Sequence, residues 1–223
     1  VSYRLAVKSL YENLNIHSAL AFAGIAGPLV LIATDITAAF SNPGYNMVRH
    51  SISSLALTSI GWLQTIGFLT IGLLVEIFAA GLLFNIRRAR GFHIGIGCLV
   101  FMGFGMLIIG AFRTDPAGAP DTVEGTIHSL AAMVVFWLFP IASLLIAPSL
   151  KKDPYWQNIF KYTVVTGILA LALVLLVGFL EDTASWFGLA ERILVLNMIV
   201  WVEVTAIKLL LLSVRQSRKS KSI

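Results

Sequence analysis

Six apolar runs, each long enough to cross a bilayer, constrain this chain more than any other feature. A hydrocarbon core about 30 Å thick takes about 20 helical residues to span. The runs are Ser18–Phe40, Ile60–Phe84, Phe92–Phe112, Thr126–Ser149, Ile159–Leu180 and Ala190–Ser213. Backbone N–H and C=O groups in lipid must be satisfied within their own segment, so each run is predicted to be helical. Composition agrees: 58% of the 223 residues are hydrophobic and 12% are charged, against roughly a quarter charged in soluble domains. The connectors are short, no linker divides the chain, and no convincing internal repeat is present. The prediction is an all-α bundle of six transmembrane helices, forming one integral membrane domain over residues 1–223.

The formal charge of +5 would suggest nucleic acid in a soluble protein. Here the cations flank apolar runs, which points to lipid and topology and to no nucleic-acid partner. Of the 16 basic residues, only Arg49, Arg113 and Arg192 fall on one side; Arg4, Lys8, Arg87, Arg88, Arg90, Lys151, Lys152, Lys161, Lys208 and the tail cations fall on the other. The positive-inside rule makes the richer side cytoplasmic, with both termini there and the protein in the cell membrane. Val1–His17 lacks the plan of a cleavable signal peptide, and the lone Cys98 lies in an apolar run, where it forms no intrachain disulfide.

The first external connector begins with the turn-like Ser41-Asn42-Pro43-Gly44-Tyr45. From Asn46, Met47, Ile52 and Leu55 alternate with Arg49, His50 and Ser53 at a spacing that predicts a short interfacial helix. The third connector, Asp115-Pro116-Ala117-Gly118-Ala119-Pro120, is another turn. Asp121 and Glu124 after it read as a capping-box variant. Trp62, Trp137, Trp186, Tyr155 and Trp156 stand near span ends, where aromatic residues anchor to the interface.

Tyr45-Asn46-x-x-x-His50-Ser51-Ile52-Ser53-x-Leu55, the Asp115 turn, Gly125-Thr126-Ile127-His128 and Gly188-Leu189-Ala190-Glu191-Arg192 together resemble an uncharacterised prokaryotic membrane family, the domain of unknown function nine-nine-eight. The resemblance covers nearly the whole chain. It implies a multi-helix membrane fold and supplies no activity or cofactor.

These segments share the external side, so Arg49, His50, Ser51, Asp115, His128, Glu191 and Arg192 are the candidates for an outer ligand-binding vestibule, with Asp35 within reach. Such a site would engage a lipid headgroup, a small solute or a partner subunit, the guanidinium forks suiting phosphate or carboxylate. The plainer reading makes each of them an ordinary loop, cap or i,i+4 residue, Glu124 pairing with His128. A sharper one makes His50, Asp115 and His128 the ligands of zinc in a membrane lipid hydrolase, although no metal-binding spacing accompanies them. Ser51 and Ser53 are weaker as nucleophiles, because no Gly-x-Ser-x-Gly surrounds either. Haem would need histidines projecting into the bundle, whereas His17 and His93 open helices at the water boundary. No cofactor is therefore expected.

Three polar residues lie deeper: Glu76 and Glu203, with Lys208 about one turn beyond. A charge in lipid costs at least about 2.5 kcal/mol unless paired or neutralised. A Glu76–Lys208 ion pair beside a protonated Glu203 would meet that demand as a polar clamp. Glu76 and Glu203 would alternatively serve a small proton-coupled transporter. The helix-three glycines Gly95, Gly103, Gly105 and Gly110 suit close helix packing rather than nucleotide binding.

Overall fold

The computed structural model describes residues 15–180 and 184–221, with side chains through residue 217. Arg4 and Lys8, and the side chains of Arg218, Lys219 and Lys221, lie outside the described residues. Among the described residues six long helices form where the apolar runs stand: α1 (Ile16–Phe40), α2 (Trp62–Asn85), α3 (Phe92–Ala111), α4 (Val123–Lys152), α5 (Phe160–Phe179) and α6 (Phe187–Lys221). All six are long and apolar enough to cross a membrane.

Local chemistry sets several helix ends. Asn15 caps α1, its side chain accepting from the Ser18 N–H at 3.0 Å. Gly91 enters α3 with φ at 86°, a left-handed conformation that other residues rarely adopt. Pro140 and Pro148 lie inside α4, and the Ser143 hydroxyl donates to the Pro140 carbonyl at 3.0 Å.

The helices pack in chain order and α6 returns to α1, so the bundle closes as a ring, with α6 also touching α2. Small residues permit the close approaches. A methyl group at Gly103 would stand 2.6 Å from the Glu76 Cγ and 2.7 Å from the Gly72 carbonyl, where α2 meets α3. At Gly24, where α1 meets α2 and α6, it would stand 2.6 Å from Phe78 and 2.7 Å from Ala206. The core centres on Phe78, Leu99, Phe139 and Trp201, all fully buried. Trp201 meets Phe139 edge-on at 5.6 Å and donates its indole N–H to the Thr163 hydroxyl at 3.0 Å, joining α6 to α4 and α5.

One end of the bundle carries Arg87 and Asp153. The Asp153 carboxylate accepts from the Arg87 N–H at 2.8 Å, and Ser149 accepts from the Ala89 N–H at 2.9 Å. Trp156 differs from its expected role as an interface anchor: it is 1% exposed, and its indole donates to the Asn85 carbonyl at 3.0 Å. Asp153 also takes the Trp156 backbone N–H on its carbonyl. Trp62, Trp137, Trp186 and Tyr155 remain exposed. Where α1 meets α6, Ser18 and Ser213 are 2.7 Å apart and Ser213 donates to Asn15 at 2.7 Å.

Among the described residues Glu76 and Lys208 form no ion pair; the single ion pair joins Arg192 to Asp35. The helix order explains this, since Glu76 is turned towards Gly103 of α3 rather than towards α6.

Candidate functional site

The opposite end carries Tyr45, Asp115 and the start of α6, and the first connector is folded into it. The Asn46 side chain accepts from the Val48 and Arg49 N–H groups at 2.9 and 3.2 Å, forming a turn. The connector's helical element begins later than the spacing predicts, as a 3-10 turn over Ser53–Leu57. Its apolar residues Ile52 and Leu55 are buried in the protein.

Arg192 and Glu191 hold this connector. The Arg192 guanidinium donates to the carbonyls of Met47, His50 and Gly188 at 2.8, 2.9 and 3.2 Å, to Asp35 at 3.3 Å and to the Tyr45 hydroxyl. It also lies over the Tyr45 ring, 5.5 Å from the centroid. Tyr45 donates in turn to the Ser51 carbonyl at 2.7 Å. Burial pushes the Tyr45 phenol above its ordinary range, and Arg192 only partly opposes this, so the ring stays a neutral donor at physiological pH. The buried Glu191 carboxylate accepts from the Ile52 N–H at 2.6 Å. These two candidates for ligand binding therefore act as clamps on the protein's own backbone.

The third connector is built around Asp115, whose two carboxylate oxygens accept from the Thr122 N–H and hydroxyl, both at 2.8 Å. That fixes Thr122, not Asp121, as the cap of α4, its hydroxyl accepting from the Gly125 N–H at 3.0 Å. Glu124 takes the Arg113 N–H at 2.7 Å. The expected Glu124–His128 pair is replaced by other partners for both residues. His128, 3% exposed, is fixed at both nitrogens: Nδ1 lies 2.8 Å from the Phe112 carbonyl and Nε2 lies 2.9 Å from the Ser53 hydroxyl.

Arg49, His50, Ser51, Asp115 and His128 line one cleft of about 540 Å³. Ser53, Ser54, Thr114 and Ser129 complete its polar rim; Phe136, Trp137, Val174, Val177, Leu180 and Phe187 form an apolar wall. The wall comes from α4, α5 and the start of α6, and sequence reasoning did not anticipate it, because those residues look like any others facing lipid. A second, apolar cavity of about 60 Å³ lies deeper, among Phe68, Ile71, Met102, Met198 and Val202. Ser53, Ala132 and Phe136 border both spaces.

His50, Asp115 and His128 share the cleft, but among the described residues no group of three or more His, Cys, Asp or Glu side chains is placed to hold a metal. Asp115 is spent on Thr122, His128 on Phe112 and Ser53, and His50 accepts from the Asn46 N–H at 3.0 Å. The zinc arrangement is therefore not assembled by these residues. Nor do the histidines pair across the bundle for haem: His17 bonds Asn85 at 2.9 Å at the Arg87 end, and His93 is exposed.

Six apolar helices of spanning length, closed into a ring around an end-on amphipathic cleft, define a multi-pass membrane protein. Within that class, the chain belongs to the DUF998 family, proteins of unknown function, whose model matches residues 25–208. The match takes in the whole cleft and both residues of the Arg192–Asp35 pair. No curated protein and no solved structure matches the chain.

Proposed function

We propose that the cleft binds an amphipathic molecule, its polar headgroup at Arg49, His50 and Ser51 and its apolar part against Phe136, Trp137 and Val174. One observation carries this reading: a polar rim and an apolar wall meet in a single space of about 540 Å³. That volume lies within the range of small-molecule sites. A small polar solute would leave the wall unfilled, whereas a membrane lipid matches both surfaces. Arg49 supplies the cation of the rim and suits a phosphate or carboxylate headgroup, because guanidinium offers a planar fork of donors.

The cleft faces away from the cytoplasm in this proposal, since the opposite end carries Arg87, Arg88, Arg90, Lys151 and Lys152. The expected result with the full chain in nanodiscs is that a fluorescent phosphatidylglycerol analogue binds. Arg49→Ala should weaken it about tenfold, the loss of one charge-assisted hydrogen bond of roughly 1.5 kcal/mol. Unchanged binding in Arg49→Ala and in Trp137→Asp would overturn the reading. Modification of a cysteine placed at Ala117 by an impermeant maleimide in intact cells tests the orientation.

A further inference from the structure

We propose that Ser53 and His128 form a nucleophile–base pair that cleaves the carboxylic ester of an amphiphile held in the cleft. The inference rests on the binding reading above and deepens it. Its basis is the hydrogen bonding of one buried imidazole. The Phe112 carbonyl can only accept, so the proton between it and His128, across 2.8 Å, belongs to Nδ1. The neutral ring therefore presents its Nε2 lone pair to Ser53 at 2.9 Å, and the serine hydroxyl donates. A base within hydrogen-bond reach of a nucleophile, and held in its tautomer by a third group, is the arrangement that activates serine. Here a backbone carbonyl takes the orienting place that a carboxylate fills elsewhere.

The pair stands where an ester bond would fall. Ser53 borders both the polar-rimmed cleft and the apolar cavity, as Phe136 and Ala132 do. An amphiphile with its headgroup at Arg49 and its chain towards Phe136 brings its headgroup–chain junction to Ser53. The serine oxygen attacks the carbonyl carbon as its proton passes to His128 Nε2. The carbon–oxygen bond to the headgroup alcohol then breaks, and Nε2–H protonates the departing alkoxide. Water, deprotonated by the same nitrogen, attacks the acyl-serine; the carboxylic acid leaves and Ser53 regains its proton. The sum is ester plus water giving acid plus alcohol.

The test uses the full chain in phosphatidylcholine nanodiscs. A fluorophosphonate probe should label Ser53, located by peptide mass spectrometry, and 4-nitrophenyl octanoate should be hydrolysed. Ser53→Ala and His128→Gln should each lower hydrolysis at least about 100-fold, while Ser217→Ala, far along α6 from the cleft, stays within about twofold. Labelling of the unmodified chain is read independently of how either variant folds. Binding of a fluorescent lysophosphatidylglycerol to the same samples separates the two claims. If the lysolipid binds but Ser53 is neither labelled nor required for hydrolysis, the pair is structural and this proposal falls while the cleft reading survives. If the lysolipid does not bind, both fall. Labelling confined to another serine also overturns it.

Discussion

Arg192 of α6 and Asp35 of α1 stand 3.3 Å apart, and their contact closes the ring of helices at the Tyr45 end. Both side chains are 14% exposed, so neither charge is well solvated. The guanidinium spends its other donors on three carbonyls and a phenol, which makes the pair the anchor of the first connector.

Arg192→Ala is expected to destabilise the bundle by about 3 kcal/mol, because it leaves Asp35 buried without its cation. Arg192→Lys should recover less than half, since a point charge cannot reach Met47, His50 and Tyr45 together. Unfolding in mixed micelles against denaturing detergent measures both. Equal stability of the lysine variant and the parent would contradict the fork geometry.

Gly188→Ala tests the seam between connector and α6. An added methyl would sit 2.1 Å from the His50 carbonyl oxygen, a backbone atom that cannot swing aside. The expected cost is about 2 kcal/mol, the scale of an overpacked core. Gly97→Ala, which meets open space, should be silent in the same melting experiment.

Tyr45 sets a pH limit. Its phenol is raised in the folded protein, chiefly by burial. The stability this contributes is complete below the unfolded value near 10 and is lost as pH rises through the folded value. Melting temperature should therefore fall above about pH 10, and Tyr45→Phe should flatten that slope. A slope of the same size in the variant would assign it to another group.

Glu203 carries a buried carboxylate oxygen that has no hydrogen-bond partner among the described residues. Glu203→Leu is expected to leave stability unchanged or raise it by about 1 kcal/mol, because it removes an unsatisfied polar group. A proton-coupled transporter would show itself differently, through a pH-driven flux in vesicles that Glu203→Gln abolishes without altering the melt.

Asp115 and His128 are already engaged by partners within the chain, so chelation by EDTA should leave the melting temperature unchanged. A marked drop, with zinc found by elemental analysis, would restore the metal reading.

The number of apolar spans and their helicity follow from sequence because lipid imposes its demand on each segment separately: about 20 residues must be apolar and must satisfy their own backbone. The grouping of Arg49, His50, Ser51, Asp115 and His128 at one end was legible for the same reason, since counting spans places the connectors. The roles within that group were not. Helices apolar around their whole circumference do not reveal in sequence which face turns inward, so the apolar wall from α5 is invisible there. Ser53 and His128 lie 75 residues apart, and their meeting depends on how α4 is rotated against the first connector. Arg192 looked available to a ligand, and Trp156 to the interface, until helix order supplied each with backbone carbonyls to bind. Hydropathy determined that this chain crosses the membrane; helix rotation and packing decided which of its polar groups are still free to act.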